Sequence, residues 1–402
     1  MKKEKNSKKF IITLAGLAIM LCVGILYMWS VFQISVVKEH GWVSSQVALT
    51  SSLMIAFFVV GNIIGGLLQE RVHPRFTSMI GCILFSAGIF LTSFAATPVM
   101  LYVTYGVISG IGCGMAYCNV LAVLQKWWAA NTGVITGLTV GFFGLSVVVL
   151  SPLSNALISS YGSAFTFRIL GILFGVTTII SSLFMEKPSK KYYMKQATRV
   201  LAKEEMRQVT PKMMITSYPY WFIFLSLFAS SGAYLMLVPF ISTIAISRGM
   251  STELALTAVM ITGVANSCGR ILAPAATDRF GRTNTMILLY IISAFACIWM
   301  IFASGIAYIV AVFLIAFSYG GTSGINPVIV TELFGAKNSG ANYGFVLSAL
   351  AFSSIIFSLV NNSLSKLGDF TTSFIICAVV CAVPMICMRM LHLFCKKSGK
   401  II

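Results

Sequence analysis

Acidic residues are scarce in this chain. Only 10 of its 402 residues are Asp or Glu, against 28 Lys and Arg, and charged residues of both signs make up 9%. A water-soluble domain carries roughly 25% charged residues, so a soluble globular fold is excluded. Histidine is scarcer still: His40, His73 and His392 lie far apart and form no metal cluster. The 10 cysteines are scattered. Cys377 and Cys381 share a helix face but have no His or acid beside them, which fits free thiols in an apolar core. The patterns HExxH and GxSxG are missing. Gly110-x-Gly112-x-Gly114 has neither a preceding strand nor a following Lys-Ser/Thr, so it is no phosphate loop. No enzyme activity, metal or cofactor is expected.

What fills the chain is apolar sequence, 58% of residues, with a mean hydropathy of +0.93. A membrane span needs about 20 apolar residues. By that measure twelve spans are expected, at 10–37, 45–68, 77–96, 99–125, 132–158, 165–185, 215–246, 254–276, 284–304, 306–330, 339–365 and 371–394. The first run is too long for a signal-peptide core and is expected to be retained. The fold class is therefore an all-α membrane protein.

The net charge of +18 would suggest nucleic acid in a soluble protein, but its placement excludes that. Bases gather in the N-terminal tail (Lys2, Lys3, Lys5, Lys8, Lys9), in the C-terminal tail (Arg389, Lys396, Lys397, Lys400) and in a central hydrophilic stretch from Lys187 to Lys212. Cytoplasmic segments carry such an excess, so both termini and the central loop are expected inside a cell membrane. An even number of spans agrees. The central loop, with an amphipathic stretch at Val200–Met206, is expected to lie on the anionic inner leaflet.

The central stretch divides the chain almost in half, and the halves repeat. Glu70-Arg71 and Asp278-Arg279 lie 208 residues apart, as do Gly112 and Gly320; Gly133 and Gly340 lie 207 apart. The offset predicts two pseudo-symmetric six-helix bundles, 1–185 and 214–402, joined by a linker at 186–213. Paired repeats of this kind serve carriers that rock around a central site. Span five has Gly133, Gly137, Gly141 and Gly144 at close helical spacing, a smooth seam for a neighbouring helix.

One stretch stands apart. Met260–Arg282 is an apolar helix candidate with Arg270 well inside it. A guanidinium keeps its proton in a protein, and in hydrocarbon it costs on the order of 2.5–3.5 kcal/mol by insertion scales. Such a charge belongs beside a water-filled hollow or an anion. No Asp or Glu lies mid-span to pair with it.

Other motifs surround it. Asp278-Arg279-Phe-Gly281-Arg282 after span eight answers Glu70-Arg71-Val-His73-Pro74-Arg75 after span two. Span one carries Gly24-Ile-Leu-Tyr27-Met-Trp29, span four Gly112-Cys-Gly114-Met-Ala-Tyr117-Cys-Asn119, span ten Tyr319-Gly320-Gly321 and Glu332-Leu-Phe334-Gly335, and span eleven Asn342-Tyr343-Gly344. Together these resemble the major facilitator superfamily, and within it the oxalate:formate antiporter family, near the monocarboxylate carriers. The resemblance covers nearly the whole chain. It implies the major facilitator fold, with Glu70, Arg71, Asp278, Arg279 and Arg282 as a gating latch. The first loop departs from the family pattern, with Glu70 for the usual aspartate and His73-Pro74 for Gly-Arg. The resemblance further implies that Arg270 binds a substrate carboxylate while Tyr27, Trp29, Tyr117, Asn119 and Tyr319 line the cavity.

One departure bears on substrate. Relatives that carry the dianion oxalate have a lysine in span eleven; aligned through Asn342-Tyr343-Gly344, that position is Leu350 here. One buried cation balances one carboxylate, and a dianion would leave a charge uncompensated. The expected function is therefore secondary active or facilitative transport of a small monocarboxylate such as formate, pyruvate or lactate. The alternatives are an oxalate:formate-type exchanger and a facilitator for another small solute or drug. The expected partners are an organic anion, a proton or a counter-anion, and the lipid bilayer, with the chain a monomer.

Overall fold

A peptide group in hydrocarbon has no water to bond, so each segment satisfies its own backbone by forming a helix. The computed structural model describes residues 2–128, 132–189, 209–335, 339–365 and 370–397, and among these every regular element is helical. The basic amphipathic stretch of the central loop lies outside the described residues.

Span one is α1 (Lys2–Val23), a tight 3-10 turn at Gly24–Tyr27, and α2 (Trp29–His40); spans two and three are α3 (Ser44–Arg71) and α4 (Pro74–Thr92). Span four joins α5 (Pro98–Leu101), a π-helical stretch at Tyr102–Ile108 and α6 (Ser109–Trp127). Spans five and six are one helical run, α7 (Thr132–Ser182). Its apolar part, Val134–Ser182, has 49 residues, which at 1.5 Å per residue is about 74 Å, over twice a hydrocarbon core of about 30 Å. The run breaks at Gly162, whose φ of 79° turns the chain, so it crosses twice. Among the described residues the 11 long apolar helices thus make twelve crossings.

After a short helix, α8 (Pro211–Ile215), span seven is α9 (Tyr218–Leu237), a 3-10 turn at Val238–Phe240 and α10 (Ile241–Ser247). Then come α11 (Thr252–Phe280), α12 (Arg282–Trp299), α13 (Gly305–Phe334) and α14 (Ser339–Ser365), and finally α15 (Thr371–Val380) with α16 (Ala382–Lys397) as span twelve. Ser251 caps α11 by accepting a hydrogen bond from the Leu254 amide, and Gly281, at φ 78°, ends it.

Three expected spans are therefore not continuous: span twelve is interrupted at Cys381, and spans one and seven more sharply. Spans one and seven, read as single helices at 10–37 and 215–246, each tighten near the middle. At Gly24 the cause is close packing: a Cβ there would lie 2.1 Å from the Phe143 carbonyl oxygen. In span seven the turn holds Pro239, which has no N–H for the helical ladder.

The packing repeats between halves. In the first, Gly112 of α6 sits on the Phe85 backbone of α4, and Gly114 on Phe58 and Asn62 of α3. In the second, Gly320 of α13 sits on Asn266 of α11, and Gly321 on Leu289 of α12. The halves meet along two seams. Ser267 of α11 donates to the Gly141 carbonyl (2.9 Å) with Gly144 packed against it, and Ser354 of α14 donates to the Ser52 carbonyl (3.1 Å). The glycine stripe of span five therefore faces the Arg270 helix through Gly141 and Gly144.

At the end of the bundle opposite the N terminus, Glu39 moors span one to the Gly162 turn. Its carboxylate accepts from the Ser163 amide (2.9 Å) and hydroxyl (2.5 Å), and from Ser35. Partial burial works to raise this carboxyl's pKa, but the Ser163 and Ser35 hydrogen bonds and nearby His40 outweigh it and hold it below the usual glutamate range. A depressed carboxyl contributes stability above its unfolded pKa of about 4.3 and loses it as the pH falls towards the folded value. We predict that the detergent-solubilised protein keeps a constant melting temperature above about pH 5 and loses it below about pH 4, and that Glu39→Gln flattens that acid slope. Identical acid slopes in both proteins would sink the assignment.

Candidate functional site

Arg270 lies midway along α11, on the face turned to the first half of the chain. It is only 4% exposed. Its Nε donates to Asn266 Oδ1, one helical turn back, at 2.7 Å, and its Nη2 donates to the Tyr27 hydroxyl at 3.1 Å. Tyr27 comes from the tight turn of span one, so the guanidinium bridges the two halves. The Tyr27 and Tyr319 hydroxyls lie 3.4 Å apart, closing a second bridge from α13.

Aromatic rings wall this centre. Tyr234 stacks on Tyr319, centroids 4.2 Å apart and planes 13° from parallel, and Tyr27 meets Tyr234 edge-on. On the other side Phe143 packs edge-on against both Tyr27 and Tyr117, with Phe58 behind them. The Arg270 guanidinium carbon sits 5.9 Å from the Tyr27 ring centre and 5.8 Å from that of Phe143, within cation–π range. The Tyr234 hydroxyl faces Thr262 and Asn266 without reaching good hydrogen-bond geometry to either.

Every group here that touches or faces Arg270 is neutral. A guanidinium has five N–H donors; two are engaged, both by uncharged acceptors. Among the described residues no carboxylate contacts it; the ion pairs they form are all elsewhere. A buried cation left without its counter-charge is a destabilising arrangement worth several kcal/mol.

The structure brings Arg270, Tyr27, Tyr117 and Tyr319 together. It does not bring Trp29 and Asn119 to them. Trp29 points into the first half, donating its indole N–H to the Val47 carbonyl (3.1 Å) and packing on Tyr105. Asn119 is committed to the start of α4, donating to the Pro74 carbonyl (2.6 Å) and the Ser78 hydroxyl (2.5 Å). Tyr234, Asn266 and Phe143 join the site unforeseen. Arg270 is buried here, and the Tyr27 and Tyr319 hydroxyls meet beside it across the interface between the halves. Leu350 is buried and supplies no charge.

Of the latch residues, the side chains of Glu70, Arg71 and Asp278 lie outside the described residues. Arg279 is exposed with its guanidinium over the Phe280 ring, and Arg282 forms an ion pair with Glu332 at the end of α13.

A twelve-crossing helical protein whose halves close on a buried cation has the build of a membrane transporter. The chain belongs to the Major Facilitator Superfamily, whose family model matches residues 12–358 and again 275–397. It therefore has the major facilitator fold, two pseudo-symmetric six-helix bundles, and is a multi-pass membrane transporter.

Among its relatives is the uncharacterized MFS-type transporter YhjX of Escherichia coli (strain K12), 26% identical over 86% of this chain and 85% of the relative. The oxalate:formate antiporter of Oxalobacter formigenes is 24% identical over 93% and 89% of the two chains. Human monocarboxylate transporter 12 is 22% identical over 92% of this chain and 76% of its own.

Proposed function

We propose that the chain carries a small monocarboxylate across the cell membrane by alternating access, with Arg270 as the carboxylate site. The observation that carries this is the buried guanidinium whose described partners are all neutral. An anion supplies the missing charge through a bidentate, charge-assisted pair. Because Nε is held by Asn266, the carboxylate is taken at the Nη edge, displacing the Tyr27 hydroxyl from Nη2. The freed Tyr27 and Tyr319 hydroxyls then donate to the substrate, and Tyr117, Tyr234 and Phe143 enclose its organic part. Leu350 in place of a second cation favours one negative charge over two. The names of the antiporter and monocarboxylate relatives point to the same chemical class.

In this reading the bundles 1–185 and 214–402 rock about the two seams, tethered by the linker 186–213. Glu70, Arg71, Asp278, Arg279 and Arg282 latch the face that carries both termini, which is the cytoplasmic one. The chain works as a monomer. Without a mid-span acid to relay protons, movement is coupled to a counter-anion, to a proton carried with the substrate, or to neither.

The test is uptake into proteoliposomes of formate, pyruvate, lactate and oxalate at two pH values, with and without internal anion. We expect saturable monocarboxylate uptake at least tenfold faster than oxalate uptake, one uncompensated charge being worth more than about 1.4 kcal/mol. Saturable oxalate exchange without monocarboxylate transport would overturn the substrate assignment. The pH and counter-anion arms decide the coupling.

A further inference from the structure

We propose a second ligand site, independent of the central one: a groove on the N-terminal face that binds one anionic phospholipid. The groove has a volume of about 450 Å³ and runs between α1 and the end of α7, with Ile11, Ile12, Leu183 and Phe184 as its apolar walls. Its mouth holds Lys8, Arg75 and Glu186. These three residues come from three helix ends that reach the same membrane surface: the start of span one, the start of α4 and the residues just after α7.

Among the described residues the charges at the mouth do not balance. Glu186 pairs with Lys8 at 2.5 Å and more loosely with Arg75 at 3.6 Å. One carboxylate thus faces two cations. The Arg75 Nε is also buried and has no hydrogen-bond acceptor, an uncommon state for a charged donor. The nearby Glu186 carbonyl accepts from the Trp127 indole at 2.8 Å. A phosphodiester supplies both things missing, one negative charge and acceptor oxygens that suit a guanidinium.

The walls identify the phosphate's source. Ile11, Leu183 and Phe184 remain 45–48% exposed, and Phe10 and Leu14 continue the apolar face beyond them. A free phosphate would use only the mouth. A phospholipid uses the mouth for its headgroup and the walls for an acyl chain, as basic pockets between spans do on the cytoplasmic side of membranes. A choline headgroup brings its own cation to a mouth already in positive excess, so anionic lipid is preferred.

Native mass spectrometry of the full chain in detergent, titrated with phosphatidylglycerol or phosphatidylcholine, tests the site. We expect one phosphatidylglycerol per chain, retained roughly tenfold over phosphatidylcholine. Lys8→Gln combined with Arg75→Gln abolishes that preference. Glu186→Gln raises phosphatidylglycerol retention several-fold, because the competing carboxylate is gone; a purely structural ion-pair hub gives no such gain. Ile11→Trp fills the groove, keeps every charge in place and lowers retention, so the assignment does not depend on a charge variant that folds poorly. Equal retention of the two lipids by the wild type overturns the proposal. So does undiminished retention in the Lys8/Arg75 or Ile11 variants, or weaker retention in Glu186→Gln. Full displacement of phosphatidylglycerol by inorganic phosphate overturns it too, since the walls would then contribute nothing.

Discussion

Arg270→Ala is expected to yield a protein that inserts and folds but moves the proposed carboxylate substrate at least about a hundredfold more slowly. Removing one partner of a buried, hydrogen-bonded charge pair weakens binding by about 3–5 kcal/mol, which is roughly two to nearly four orders of magnitude. Folding survives because the substitution also removes a cation whose described partners are neutral. What it leaves behind, Asn266 Oδ1 and the Tyr27 hydroxyl, are neutral groups that lose one hydrogen bond each, about 1 kcal/mol apiece. Arg270→Lys retains the charge but loses the Nε bond to Asn266 and the planar fork, and is expected to fall at least about tenfold. Proteoliposome uptake read beside the melting temperature separates the cases. Normal transport by Arg270→Ala would make the arginine structural and remove the basis for a carboxylate substrate.

The second large effect is expected at Gly320. A Cβ there would stand 2.1 Å from the Asn266 carbonyl oxygen and 2.7 Å from its Cα, so it meets backbone that no rotamer change can move. Close approach of small residues is the main source of helix association in a bilayer. Gly320→Val therefore forces α11 and α13 apart, and we predict no monodisperse protein on size exclusion in mild detergent. Gly320→Ala should fold with a clear loss, since overpacking costs about 1–3 kcal/mol. It should also lose transport beyond that loss, because the displaced Asn266 is the anchor of Arg270. A Gly320→Val protein with wild-type elution and melting temperature would refute the packing argument.

That glycine was visible in the sequence, as the partner of Gly112 at an offset of 208. The same offset locates a residue that the motifs alone miss: Tyr234 lies 207 positions after Tyr27 and stacks in the same aromatic cluster. Asn266 was legible too, since it precedes Arg270 by four residues and so shares its helix face. Trp29 and Asn119 show the opposite. Each stands two residues beyond a tyrosine that does face the centre, Tyr27 and Tyr117. Tyr117 and Asn119, two apart on one helix, point about 200° apart, while Trp29 lies across the break at Met28 from Tyr27. A motif quoted as a string ignores that rotation. The breaks in spans one and seven stayed hidden for another reason. Hydropathy measures the length of an apolar run, while the break at Gly24 arises from a distant helix, through Phe143 and Ser146. The burial of Arg270 against Tyr27 depends on how the two bundles meet, which no single stretch encodes.

The guanidinium belongs to one bundle, and the hydroxyl it touches belongs to the other. With Arg270 as the proposed carboxylate site, neither bundle holds the full set of donors, so the grip on a cargo would be tightest at mid-stroke and slacken as the bundles part towards either side of the membrane. Unloading is then built into the motion itself, and no separate ejecting group is required.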